Sequence, residues 1–209
     1  MKITYQFTIL LLCGIIISST AINYYQPEPD EGYYVVLELE HYNPEGELLE
    51  KQVIDNDLIT RQYAYMLYRG FGGLDWQEEK PFDNKDEDGT NRNYYAQSLC
   101  TIAGTQAKIA IGTGTDTPTI SDYSLDTKVG EETVNDVRIW YNGNQMNLTI
   151  DTTFLIESSY SITETGLFTY VKGSLSSYYH MMMCRDTFNA ISVDSGDTLT
   201  VRYVWVFNE

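Results

Sequence analysis

Basic residues are scarce in this chain. Only 13 Lys and Arg stand against 30 Asp and Glu, giving a formal charge of −17 over 209 residues. So negative a surface repels phosphate backbones, which argues against nucleic acid as a partner. Histidine is nearly absent: His41 and His180 are the only two, too few for a histidine-built metal centre. Long apolar runs are missing after the first 17 residues. The one present, Phe7 to Ile17, follows Lys2 and runs into small polar residues, with Ser19 and Ala21 in a cleavage-like spacing. Eleven helical residues reach about 16 Å, roughly half of a bilayer's hydrocarbon core. Residues 1–22 therefore read as a hydrophobic helix serving as a signal peptide or, if retained, as a membrane anchor through residues 7–22. Either role puts the remainder outside the cytoplasm, extracellular or on an envelope.

Cysteine is also rare, with three in all. Cys13 lies within the apolar run without the small preceding residue that a lipidation box needs, and reads as packing. Cys100 and Cys184 remain, and in an exported chain they are either one disulfide or two buried thiols. Sequence alone does not show that the two sulfurs meet.

Apolar residues make up 43% of the chain and tyrosine contributes 18 residues, enough for a core and a composition that favours sheet. Residues 23–32, "NYYQPEPDEG", read as a stalk or linker. "YYVVLELEHYN" alternates, "PEGE" turns and "LLEKQVID" returns, so 33–55 is expected to be a hairpin. "DNDLITRQYAYMLYRG" places Ile59, Tyr63, Met66 and Leu67 on one helical face between a capping Asp57 and a stopping Gly70. It predicts one helix packed on the sheet. Residues 71–98 lose all periodicity and form an acidic loop. Strands resume at "AKIAIG", and Ser121 is placed to cap one short helical turn. A second hairpin is expected around Asn142 and Gly143. Near the end, Leu199, Val201, Tyr203, Trp205 and Phe207 form an inward row. The expected fold is mainly β: an antiparallel, jelly-roll-like β-sandwich over 33–209 with one packed α-helix.

Chemistry is harder to place. "IAIGTGTDTPTISDYSLDTKV", 109–129, superficially resembles a phosphate cradle. However, Gly114 is followed by Thr115 and Asp116, with no lysine until Lys128, and Thr117 and Pro118 stand where a dinucleotide fingerprint needs glycine and helix. A glycine turn explains the stretch better. Asn84, Asp86, Asp88 and Thr90 alternate around Gly89 like the start of a calcium loop, which makes a weak calcium site conceivable. Tyr95 stands where the closing bidentate Glu belongs, so a solvated acidic loop is the competing reading. His180 and Cys184 fall on the same face of a regular strand but about 13 Å apart, too far for proton transfer. Asn147-Leu148-Thr149 is an N-glycosylation sequon with Asn147 facing out of its strand. These residues supply no catalytic constellation, and no enzyme is expected.

Several segments carry a resemblance. A strand and "GTG" turn with "PTISDYSL", then "TETGLF", then "FNAISVDSGDTLTVRY" resemble small β-rich structural proteins of tailed bacteriophages and archaeal viruses, over about residues 33–209. The resemblance implies a non-enzymatic virion protein in a tail, fibre, spike or capsid-decorating position, and no catalytic residues. It implies partners of the same kind: copies of itself and other virion proteins. This chain departs from the pattern in its N-terminal segment and its acidic 71–98 loop, which points to a virion protein seated in a membrane. The alternative is a secreted pilus or filament subunit that donates residues 22–28 as a strand to its neighbour.

Overall fold

The computed structural model describes residues 33–55, 58–60, 85–91, 107–172 and 178–208. The N-terminal segment, the linker and most of the acidic loop lie outside the described residues. Among these residues ten strands form two five-stranded sheets. They are β1 (Tyr33–Tyr42), β2 (Leu48–Asp55), β3 (Leu58–Ile59), β4 (Lys108–Gly112), β5 (Lys128–Thr133), β6 (Asp136–Asn142), β7 (Gln145–Leu155), β8 (Tyr160–Lys172), β9 (Tyr178–Val193) and β10 (Thr198–Asn208). The first sheet has the order β2-β1-β10-β7-β6 and the second β3-β9-β8-β4-β5. Every pairing is antiparallel.

The 33–55 hairpin forms as its alternation predicts, with Val36 opposite Asp55. The second hairpin turns through Gly143 and Asn144, with Asn142 opposite Gln145 and Gly143 at φ +62°. The inward row of β10 is buried from Leu199 to Trp205, and Phe207 packs at its end. One apolar cluster draws on both sheets: Leu37, Leu39, Ile150, Val201 and Tyr203 from the first, Ile109, Ile111, Leu167, Met181 and Ile191 from the second.

The expected helix begins instead as a strand. Leu58 and Ile59 pair with Arg185 and Cys184 of β9, and Thr60 donates its hydroxyl to the Met182 carbonyl. Its remaining residues, Tyr63, Met66 and Leu67 among them, lie outside the described residues, and no helix occurs among those described. Helical periodicity over so short a window competed with an open edge of β9, whose unpaired backbone groups reward a strand. The short helical turn at Ser121 is also absent. Thr119, not Ser121, organises a bend there, its amide and hydroxyl both bonded to the Asp122 carboxylate.

The chain crosses between sheets from β7 to β8 and again from β9 to β10, and both crossings meet at one corner. Asp197 holds it. Its carboxylate accepts the Asp194 amide at 2.9 Å and faces His41 Nε2 at 2.7 Å, while its backbone carbonyl accepts the Ile156 amide. Gly196 makes the turn at φ +99°, a left-handed conformation that favours glycine. The Asp194 amide first, then His41, hold the Asp197 carboxyl below its ordinary range. Asp197→Ala removes charge-assisted hydrogen bonds at a buried corner. It is expected to lower unfolding free energy by roughly 2–3 kcal/mol, read by urea denaturation.

Candidate functional site at the buried Glu164 and Arg185 pair

β8 and β9 are buried on both faces through their middles. Two bulges interrupt their pairing, at Ile162/Glu164 and at Leu167/Phe168. A register shift at Leu167/Phe168 leaves Leu167 opposite Cys184 and Phe168 opposite Met182, so Met183 is the extra residue. Cys184 and Met183 therefore join the inter-sheet core, while Met182 packs on the other face with Phe168, Ala110 and Leu125. The bulge also separates His180 from Cys184. His180 shares the face of Met182, Cys184 the opposite one, so the regular alternation expected from sequence is broken between them. Cys184 is fully buried, and Cys100 lies outside the described residues.

On the outer face of this sheet, Glu164 sits opposite Gly112 of β4 and Arg185 sits opposite Gly166. Both charges are buried. Glu164 Oε1 accepts the amides of Gly114 at 2.9 Å and Thr127 at 2.8 Å, and Oε2 accepts that of Asp126 at 3.1 Å. Arg185 Nη2 lies 3.0 Å from Glu164 Oε2 and 2.6 Å from Asp126, and Nη1 lies 2.6 Å from Asp122. Arg185 Nη2 also donates to the Asp116 carbonyl. The 113–127 loop is thus folded around one carboxylate and one guanidinium.

This geometry accounts for the glycines that mimic a phosphate cradle. The amides do converge on an anion, but it is the side chain of Glu164. A Cβ on Gly112 would stand 2.5 Å from Glu164 Oε1 and 2.6 Å from the Thr127 carbonyl. A Cβ on Gly114 would meet the same carboxylate oxygen at 2.5 Å. Gly166 opens the space that Leu125 and Met182 fill. Sequence reasoning missed Glu164 and Arg185, although a signal existed: each is a charge near apolar residues inside a strand, and such charges are buried only with partners.

Beside this pair lies a second charged cluster. Lys108 is buried, bonded to Glu87 at 2.6 Å and to Glu131 at 2.8 Å, and Lys128 joins the same two carboxylates at 2.6 Å each. Where it is described, the acidic segment is tied down through Glu87, while Asp88, Thr90 and Asn91 remain exposed. Glu87 donates its amide to the His180 carbonyl, and Lys85 stands 5.1 Å from the Tyr123 ring centre. Of the expected calcium ligands, Asp86 is buried and its carboxylate accepts the Thr90 amide at 2.8 Å, Asp88 and Thr90 are exposed, and Asn84 lies outside the described residues. Among the described residues no three His, Cys, Asp or Glu side chains gather as a metal site.

The first sheet carries a charged stripe on its outer face. Lys51 meets Glu40, Glu38 meets Arg202, and Asp151 meets both Arg202 and Arg138. Asn147 lies on this face as expected but is only 2% exposed, and Thr149 of its sequon accepts the Trp140 indole N–H. Folding hides this acceptor amide. Two surface depressions, about 640 and 570 Å³, lie by Gln52, Thr163 and Phe188 and by Trp140, Arg138 and Arg202. The arginines of the second are those paired to Asp151 and Glu38.

No family model matches the chain, and no curated protein or solved structure matches it.

Glu164→Gln leaves a buried guanidinium short of its one fully buried counter-charge, a loss of about 3 kcal/mol. In a domain of this size that is roughly 10 °C in melting temperature, measured by calorimetry. Gly112→Ala is expected to be at least as costly, because the Thr127 carbonyl it strikes is backbone.

Acid should weaken the same region. Burial would raise Glu131, but Lys108 and Lys128 outweigh it and lower the carboxyl from 4.5 to about 2. Glu87 is lowered by the same two lysines against burial, and Asp122 by Thr119 and Arg185 against burial. A depressed carboxyl stabilises the fold above its unfolded pKa and loses that contribution as pH falls through the folded value. Asp55, raised by burial, runs the other way, but alone. Melting temperature should hold from neutrality to about pH 4.5 and then fall toward pH 2, as followed by circular dichroism.

Proposed function

We propose that this chain is a non-enzymatic structural subunit exposed on a virion surface, a spike, fibre or decorating protein. Its two sheets would stack as a jelly-roll-like β-sandwich, and it would act by shape and attachment. One observation carries the reading. The most site-like constellation among the described residues, three amides and a guanidinium converging on one point, is closed by the chain's own Glu164. Its polar groups are committed to holding a loop, so the molecule meets its surroundings through its exterior.

The segments behind the resemblance fit this role. "TETGLF" supplies Glu164 and the packed Gly166, and "GDTL" supplies the Gly196–Asp197 corner. Both are devices of rigidity, which a particle subunit needs. Residues 7–22, if retained, would seat the domain in an envelope with 23–32 as its stalk. The proposal needs no bound metal or cofactor.

Purified particles from the organism carrying the gene should contain the chain in the amounts of a structural component, measured by mass spectrometry. Gold-labelled antibodies to residues 33–209 should decorate their outside. A chain confined to the cytosol and absent from particles and envelope would overturn the proposal.

A further inference from the structure

Among the described residues the two sheets have four edges, and three of these are blunted. β3 is two residues long. β5, "KVGEET", carries Lys128, Glu131 and Glu132, and its pairing with β4 is interrupted by a bulge. β2 has Glu50, Lys51 and Gln52 at its centre and a register shift against β1. Charge, shortness and bulges are the usual means of stopping one sheet edge from pairing with another. The fourth edge, β6, has none of them along Ile139-Trp140-Tyr141. These residues are 62%, 45% and 72% exposed, and among the described strands β6 pairs with β7 alone.

We propose that β6 is a self-association edge, pairing antiparallel with β6 of a second copy about a twofold axis at Ile139. This rests on the reading of the chain as an assembling subunit and names the surface used.

The register follows from the hairpin. A two-residue turn makes Asn142 and Gln145 a hydrogen-bonded pair, so Trp140–Asn147 and Arg138–Thr149 are hydrogen-bonded too. The backbone groups of Val137, Ile139 and Tyr141 therefore point to the open edge. Centring a second copy on Ile139 pairs all three: Ile139 with the partner's Ile139, and Val137 with the partner's Tyr141 in both directions. On the other face Arg138 lies opposite the partner's Trp140, a cation beside an aromatic ring, and Asp136 lies opposite the partner's Asn142. No like charges meet. Shifting the centre to Arg138 sets two arginines opposite each other, and shifting it to Trp140 carries Val137 past the strand end onto the partner's Gly143. The Ile139-centred register alone uses every outward backbone group without repulsion. A twofold contact of this kind is closed, so it yields a dimer with two five-stranded sheets joined edge to edge.

The test is native mass spectrometry of the full chain in mild detergent. The wild type is expected at twice the chain mass. Ile139→Pro removes an amide that faces the edge and not β7, and should give the single-chain mass while the far-ultraviolet circular dichroism stays that of the wild type. Should Ile139→Pro unfold, Ile139→Lys decides by the same shift. Leu49→Lys, which removes an exposed apolar side chain from the β2 edge, should leave the dimer intact. Brief oxidation should cross-link Ile139→Cys to itself. Tyr141→Cys should not cross-link, its two copies lying about 13 Å apart, and the wild type with its own three cysteines is the blank. A monomeric wild type, or a dimer that survives both Ile139 substitutions, overturns the pairing. Cross-linking at Tyr141 but not at Ile139 overturns the register. Particle composition tests the subunit reading separately, and a virion protein that is monomeric here sinks only the β6 proposal.

Discussion

A carboxylate sealed inside a sheet face must be surrounded by donors, and in this protein that requirement organises a whole loop. Glu164 takes three backbone amides and a guanidinium. Those amides belong to residues on both sides of the 113–127 excursion, so one side chain closes the loop's two ends together. Arg185 reaches further, to Asp122, Asp126 and the Asp116 carbonyl, and so fixes the middle of the loop as well. Leu125 then drops onto Phe168, Met182 and Ala110 as a small second core. Polar and apolar packing depend on each other here: Gly112 and Gly114 admit the carboxylate, and the carboxylate positions the residues that bring Leu125 down.

A chain with so large an excess of acid has to prevent its carboxylates from repelling the fold apart. It does so by distributing few cations over many anions. Arg185 serves three carboxylates, Arg202 bridges Glu38 and Asp151, and Lys108 and Lys128 share Glu87 and Glu131. Isolated surface pairs contribute little, but buried members of a network cannot be removed singly without stranding a charge. The same economy leaves the chain with a strongly negative net charge. It also makes the neutral, aromatic stretch of β6 stand out among edges that are charged, bulged or short.

Much of the sheet architecture was legible in advance. Alternation located the 33–55 hairpin, the strands around Gly143 and the inward row of β10, because a period of two can satisfy only one buried face. Legibility failed where the period broke. Bulges at Ile162/Glu164 and Leu167/Phe168 put consecutive residues on unexpected sides, which separated His180 from Cys184 and brought Glu164 beneath the loop. It failed again at Leu58 and Ile59, where a helical pattern gave way to an available edge of β9. The glycine stretch was read as a turn, and the anion around which that turn folds, the Glu164 carboxylate, was not foreseen.

Composition and periodicity by themselves determined the class of the protein: acidic, mainly β, with hairpins at 33–55 and 136–155 and a core row along β10. These are local properties, set by which residues alternate and which turn. Only the tertiary structure decided that Glu164 and Arg185, 21 positions apart in sequence, share one buried cluster with Asp122 and Asp126, and that His41 meets Asp197 across 156 positions. Those partnerships depend on strand order and on bulges that shift register, by two residues at Ile162/Glu164 and by one at Leu167/Phe168. A sequence pattern of period two carries neither quantity, because every strand order and either bulge position leaves it equally satisfied.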